Sequence, residues 1–274
     1  VGVLTPNPVF DTNPDFYAEG QTTSQVLPAI LAIAKQAGAK NLGVIYCAES
    51  PQCQEAVGAV KSAGKAIGIP VVYSASISAT SPNYTAQCVA AQQAHVSALA
   101  VFDVEQPNIK LGTSCSQQGY NPIYLTEGTG FSMDQGKAPG LKDTLWTQYS
   151  DLPFWDNVPP VQAMNTAVDK YYPHLRSNPL LWQEGAAQAW PSGLLLEDAI
   201  KAGGLTSGGT PSAAEIVKGL HSLHGDTLGG WAPPLTFKAG QPNPIDCYFV
   251  GRVQKGTPSV VNNGQVSCPS GASS

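Results

Sequence analysis

Charge is what this sequence has least of. Asp, Glu, Lys and Arg make up 12% of its 274 residues, against about 25% in an ordinary soluble domain. Only 14 of them are basic and the formal net charge is −5, so no basic patch can form and nucleic acid is excluded as a partner. Long apolar runs are also missing. The longest, around LLLEDAI (194–200), is interrupted by charge, which excludes a membrane-spanning helix there. The motifs of common catalytic chemistry are absent too: no G-x-S-x-G elbow, no Walker A loop, no G-x-G-x-x-G after a strand and no H-E-x-x-H. An activated nucleophile, a phosphate cradle and a dinucleotide cofactor are therefore not expected, and no cofactor is. Of the four histidines, His221 and His224 precede Asp226 with i, i+3 spacing. Two such ligands at a helix end with no third nearby do not make a metal centre.

Six cysteines are present: Cys47, Cys53, Cys88, Cys115, Cys247 and Cys268. An even set of six allows fifteen pairings. There is no C-x₂-C pair and C-x₅-C is poor zinc spacing, which leaves buried thiols in a cytosolic protein or disulfides in an exported one. Cys47 ends an apolar run and Cys53 falls in the first turn of the next helical stretch. Cys88 and Cys115 lie in consecutive crossover segments, and Cys268 lies in a Gly/Ser-rich tail that a bridge to Cys247 would pin. The expected pairing is Cys47–Cys53, Cys88–Cys115 and Cys247–Cys268, and with it a periplasmic or cell-surface location. No signal peptide opens the chain; VGVL (1–4) reads as a strand, so the chain is expected to start inside a domain.

What is plentiful is apolar and small: 42% hydrophobic residues, with 28 Gly and 23 Pro, enough core for one large or two medium domains. Between Lys40 and Gly130 one unit repeats. The apolar runs NLGVIY (41–46), PVVYSASI (70–77), SALAVF (97–102) and PIYLT (122–126) are too short for helix interiors. The stretches 52–67, 83–94 and 106–118 separate them with helical spacing, clear in the first two. Strand alternating with helix predicts an α/β fold with a parallel sheet covered on both faces. Elsewhere, helices are expected over 14–38 (kinked at Pro28), 160–173, 182–204 (kinked at Pro191) and 211–223, the last capped by Thr210. Strands are expected within 141–155 and at 235–237 and 245–255, followed by a tail.

In a parallel α/β sheet, ligands sit beyond the carboxyl ends of the strands. Projected onto one edge, those ends collect Tyr46, Glu49, Ser50, Ser78, Phe102, Asp103, Glu105, Gln106, Thr126, Glu127, Gly128 and Thr129. Carboxylates, hydroxyls and rings converge there without a Lys or Arg, which suits a cationic or hydroxyl-rich small molecule and not a bare anion. The plainer role for Asp103 and Glu105 is capping of the following helix.

Taken in order, several segments resemble the periplasmic solute-binding proteins of the branched-chain amino acid (Leu/Ile/Val) type that serve ABC importers. They are NPVFDTNPDFYAEGQ (7–21), AKNLGVIY through NYTAQ (39–87), QQGYNPIYLTEG (117–128), AAQAWPSGLLLEDAIKAGG (186–204) and LTFKAGQPNPIDCYFVGRVQKG (235–256). The resemblance implies two α/β lobes, here 1–37 plus 182–240 and 38–181 plus 241–274, which close by a hinge on a small-molecule ligand without catalysis. It implies that Glu127 faces the ligand's ammonium. The loops Glu49–Pro51 and Asp103–Gln106, and Trp182 to Glu184 at the start of the returning helix, would line the cleft. It also implies a partner permease and ATPase, and is compatible with a membrane anchor in an amino-terminal segment. Family members carry roughly a hundred further residues before the point matching Val1, so the first lobe is expected to be incomplete here. Competing readings are a hydrolase on a doubly wound sheet, using Asp103 and Glu105, and a ligand-sensing receptor with the same two lobes.

Overall fold

The computed structural model describes residues 9–21, 23–178, 181–204, 209–242 and 245–268. A single turn, α1 (Val9–Thr12), and helix α2 (Thr23–Gln36) come first. Three strand–helix units follow: β1 (Leu42–Cys47) with α3 (Pro51–Ala66), β2 (Val71–Ile77) with α4 (Thr85–Gln93), and β3 (Ala98–Phe102) with α5 (Glu105–Gln117). Strands β4 (Ile123–Glu127) and β5 (Leu145–Tyr149) complete that series. Then come α6 (Pro159–Tyr171), α7 (Glu184–Ala187), α8 (Ala189–Ala202) and α9 (Ala213–Ser222). The antiparallel pair β6 (His224–Asp226) and β7 (Leu235–Thr236) and the hairpin β8 (Phe249–Gln254) and β9 (Thr257–Val260) close the chain.

The chain divides into two compact units: residues 1–26, 150–249 and 264–274, and residues 27–149 and 250–263. The second is built on a seven-stranded sheet, among the described residues, in the order β2-β1-β3-β4-β5-β8-β9. The pairs β1–β2, β1–β3, β3–β4 and β4–β5 are parallel. The interior strand β3, ALAVF, is buried along its whole length, because helices cover both faces and leave no polar side to alternate with. β2 at the edge keeps partly exposed residues throughout most of its length. The order β2-β1-β3-β4-β5 makes the sheet doubly wound, with its switch point between β1 and β3.

In the other unit, α8 and α9 pack through Leu195 and Ala199 against Leu220, all buried. Gly219 permits the close approach: a Cβ built on it would lie 1.7 Å from the Ala199 carbonyl oxygen.

Several boundaries differ from the sequence reading for local reasons. The helix expected from Pro14 begins only at Thr23. Before it, Asn13 accepts a hydrogen bond from the Asp15 amide through its side chain, and Gly20 packs where a Cβ would meet Ser150 at 2.7 Å. The helix expected over 182–204 is broken at Gln188 into α7 and α8, which moves Pro191 into a first turn, where its missing N–H is harmless. Ser212, not Thr210, caps α9. Its hydroxyl accepts from the Glu215 amide while Glu215 accepts from the Ser212 amide, an S-x-x-E capping box. The stretch read as a tail contains β9. Lys255 and Gly256, both at positive φ, form a two-residue turn that suits the right-handed twist of the β8–β9 hairpin.

Candidate functional site

The carboxyl edge of the parallel strands gathers its groups from four loops. Glu49, in the β1–α3 loop, accepts hydrogen bonds from the Ser78 hydroxyl at 2.8 Å and the Ala79 amide at 2.9 Å. These donors hold its carboxyl below the usual carboxylate range. Its loop is bounded by the Cys47–Cys53 disulfide. Ser50 follows in extended backbone at the N-cap of α3. The Tyr84 hydroxyl donates to the Ser78 carbonyl at 2.8 Å, fixing the β2–α4 loop from below.

Asp103 directly follows β3. One carboxyl oxygen accepts from the Val104 amide at 2.8 Å, while the other, Oδ2, is buried with no partner. Burial raises its pKa, the Val104 amide opposes that, and the Glu49 charge adds to it. Asp103 does not cap α5, whose N-cap position is Val104. Glu105 is buried in the first turn and Gln106 is exposed. Phe102 is buried at the end of β3, and Tyr46, its register partner on β1, is partly exposed. Glu127 ends β4, partly exposed; packing around its carboxyl raises the pKa against a hydrogen bond from Thr129.

Three groups at this edge escape a strand-end reading of the sequence. Lys110, from the second turn of α5, donates to the Ala79 carbonyl at 3.0 Å and the Ser81 carbonyl at 2.6 Å and lies 5.4 Å from the centre of the Tyr84 ring. The edge is thus not free of cations, as the strand ends alone suggested. A four-carbon stem carries the ammonium in from a helix, but two carbonyls engage it. Asn108, 4% exposed, donates to the Asp103 carbonyl, the Thr126 hydroxyl and the Gly130 carbonyl. Gln135 donates to the same Gly130 carbonyl at 2.6 Å. Amides inside a helix and a 3₁₀ turn leave no spacing signal; a Gly-x-Gly directly after a strand is the one hint. A Cβ on Gly130 would meet Thr126 Oγ1 at 2.6 Å and the Asp103 carbonyl oxygen at 2.7 Å. Gly130→Ala is therefore expected to lose about 1–3 kcal/mol by overpacking, measured by chemical denaturation, and to displace the loops carrying Asp103 and Glu127.

The remaining two residues singled out belong to the other unit. Trp182 packs edge-on to Phe154 at 6.0 Å, with the Arg176 guanidinium 5.9 Å from its ring. Glu184 is 2% exposed with one oxygen unpartnered. His221 does not pair with His224 for metal binding: α9 ends at Ser222, His224 opens β6, and the His221 Nε2 shares a hydrogen bond of 2.9 Å with the Tyr17 hydroxyl. Among the described residues no group of three His, Cys, Asp or Glu could hold a metal ion. A cleft of about 380 Å³ lies away from the carboxyl edge, near the amino ends of β4 and β5, between Ser116, Asn121, Lys137, Lys142 and Thr144. It is open and its lysines are exposed, whereas the edge holds enclosed, unsatisfied polar atoms, and the edge is the better candidate on that ground.

The family model for periplasmic binding proteins matches residues 2–258. The chain belongs to the periplasmic binding protein family. It is a binding protein of α/β, type I architecture, from a family that is not enzymatic. Its three disulfides, Cys47–Cys53, Cys88–Cys115 and Cys247–Cys268, fit the oxidising, extracytoplasmic setting of such proteins. Among solved structures it is similar to a leucine binding protein, LivK, from Thermotoga maritima, with TM-score 0.70 and 15% identity over 97% of this chain and 73% of the other. A branched chain amino acid ABC transporter protein from Thermus thermophilus with bound valine matches with TM-score 0.74 and 14% identity, covering 93% and 68%. A fatty acid ABC transporter substrate-binding protein from Thermomonospora curvata matches with TM-score 0.67 and 17% identity, covering 92% and 65%. The chain thus spans 73%, 68% and 65% of these three structures, respectively. At these identities the likeness is one of fold. No curated protein matches the sequence.

Proposed function

We propose that this periplasmic binding protein captures a small polar solute, an amino acid or a related cationic or amide-bearing compound, for an ABC importer, using the carboxyl edge of the doubly wound sheet. The observation that carries the reading is the convergence of Glu49, Asp103 and Glu127 at that edge. Glu49 and Asp103 stand on the two sides of the switch point, and Asp103 keeps a buried, unpartnered oxygen. An ammonium or amide donor from a solute would satisfy that oxygen, and Tyr46 and Phe102 would supply apolar contact. The similar structures include proteins described for leucine, valine and fatty acid. A fatty acid's carboxylate would have to approach three carboxyls of its own sign, which the charge distribution opposes.

The test is a thermal-shift and calorimetric screen over amino acids, amides, sugars and aliphatic acids. A ligand present at a hundred times its Kd stabilises the folded chain by about 2.7 kcal/mol. The Asp103→Asn, Glu127→Gln double variant is expected to bind the hit ten- to a hundredfold more weakly, about 1.4 to 2.7 kcal/mol. An unchanged Kd in that variant would remove these residues from the site, and turnover of the hit would refute the transport reading.

A further inference from the structure

Glu19, Asp151 and Glu184 come from three distant segments of the unit formed by residues 1–26, 150–249 and 264–274, and all three are at least 97% buried, at 0%, 3% and 2% exposure. Each keeps one carboxyl oxygen with no hydrogen-bond partner: Glu19 Oε2, Asp151 Oδ1 and Glu184 Oε2. Asp151 and Glu184 line one tightly packed crevice, with no room for a water molecule, together with Leu152, Gln188, Pro191 and Trp231. The Ser192 hydroxyl donates to Glu19 Oε1 at 2.8 Å. Gly20 backs it closely, since a Cβ there would lie 3.2 Å from Asp151 Oδ1.

Three buried carboxyls demand compensation, because an unpaired buried carboxylate costs several kcal/mol. Among the described residues no Lys, Arg or His forms an ion pair with any of them. Nor do the three have the geometry of a metal site. The remaining compensating species is the proton. A neutral carboxyl is a donor as well as an acceptor and can serve a neighbouring carboxyl oxygen.

We propose that Glu19, Asp151 and Glu184 form a proton-operated latch: with the cluster protonated, the segments around Glu19–Gln21, Ser150–Leu152 and α7 stay tied, and with the protons lost they part. The balance is simple, since each step releases one proton to solvent and leaves one carboxylate. Burial raises the pKa of all three, Glu19 to about 7 and Glu184 to about 8, and Asp151 rises further under the charges of Glu19 and Glu184. Folded-state affinities above the unfolded values mean that the native state holds the extra protons. The stability they give is complete below the ordinary carboxylate range. It falls as pH rises through about 7 and about 8, and stays low above that.

The experiment measures chemical unfolding of the wild type, Glu184→Gln and Asp151→Asn from pH 5 to pH 8.5 at fixed ionic strength, with and without added Na⁺, Mg²⁺ or Ca²⁺. The neutral amides mimic the protonated acid, so each variant is expected to flatten the pH slope and to exceed the wild type at pH 8. Hydrogen exchange of residues 19–21, 150–152 and 184–192 is expected to rise at least tenfold between pH 6 and pH 8 in the wild type, after correction for intrinsic rates, and not in the variants. The infrared carbonyl band of a neutral carboxylic acid should persist at pH 7 and diminish in each variant. Equal pH slopes in wild type and variants would overturn the latch. So would a wild type whose stability at pH 8 is restored by one of the cations, which would make the cluster a cation site.

Discussion

Gly219→Ala is expected to be among the most damaging single-methyl changes this chain can suffer. Alanine is normally the better helix residue by about 1 kcal/mol, and α9 is a regular, box-capped helix, so propensity alone predicts a gain. Sterics reverse the sign. The new Cβ would stand 1.7 Å from the Ala199 oxygen and 2.7 Å from its carbonyl carbon. Those are backbone atoms of α8, so no rotamer change relieves the clash and the two helices must separate. Overpacking of side chains costs about 1–3 kcal/mol; a backbone clash that parts two helices and exposes Leu195, Ala199 and Leu220 should reach or exceed the upper figure. Gly58→Ala supplies the control. It lies inside α3 with nothing within 4 Å of the added Cβ, so it should stabilise by about 0.5–1 kcal/mol. Denaturant midpoints of the two variants moving in opposite directions would support the account. Both moving the same way would refute it.

That contrast shows what the sequence can and cannot disclose. The alternating apolar runs of 41–126 are legible because burial on both faces leaves a strand no polar side, and β3 has none. The parallel sheet follows from those units, and with it the carboxyl edge on which Glu49, Asp103 and Glu127 stand; the strand order β2-β1-β3-β4-β5 does not, because alternation of strand and helix leaves the order open. Gly219 and Gly58 look alike in the sequence; only the crossing of α8 over α9 distinguishes them. The same holds at the candidate site. Asp103 is visible as the residue after a strand, but Asn108 is hidden inside an amphipathic helix, and its role exists only once three loops have been brought within reach of one amide. Lys110 was legible as a lysine and not as a neighbour of Ala79 and Ser81, because its stem spans a distance that no local pattern encodes. Glu19, Asp151 and Glu184 lie more than thirty residues apart along the chain, and no pattern in the sequence marks them as one cluster.

The disulfides allow stability and site geometry to be separated by experiment. Cys88 and Cys115 are fully buried between α4 and α5 and close a loop with a sequence separation of 27. By the chain-entropy relation such a bridge stabilises by about 3.6 kcal/mol, a large share of the roughly 5–15 kcal/mol that holds a domain folded. Cys88→Ala, Cys115→Ala is expected to lose that much and somewhat more, since two buried sulfurs are also removed, and to leave ligand affinity of the folded fraction almost unchanged. Cys47–Cys53 has a sequence separation of only 6 and is worth about 2.4 kcal/mol on the same relation. It brackets the loop of Glu49, whose carboxylate is held by Ser78 and Ala79. Cys47→Ser, Cys53→Ser should therefore cost less stability but weaken binding, because an unclamped loop must be ordered each time the solute is captured. Unfolding midpoints and calorimetric Kd values for the two double variants decide the matter. If removing the small bridge left Kd unchanged while removing the buried one raised it, the β1–α3 loop would not be part of the binding surface.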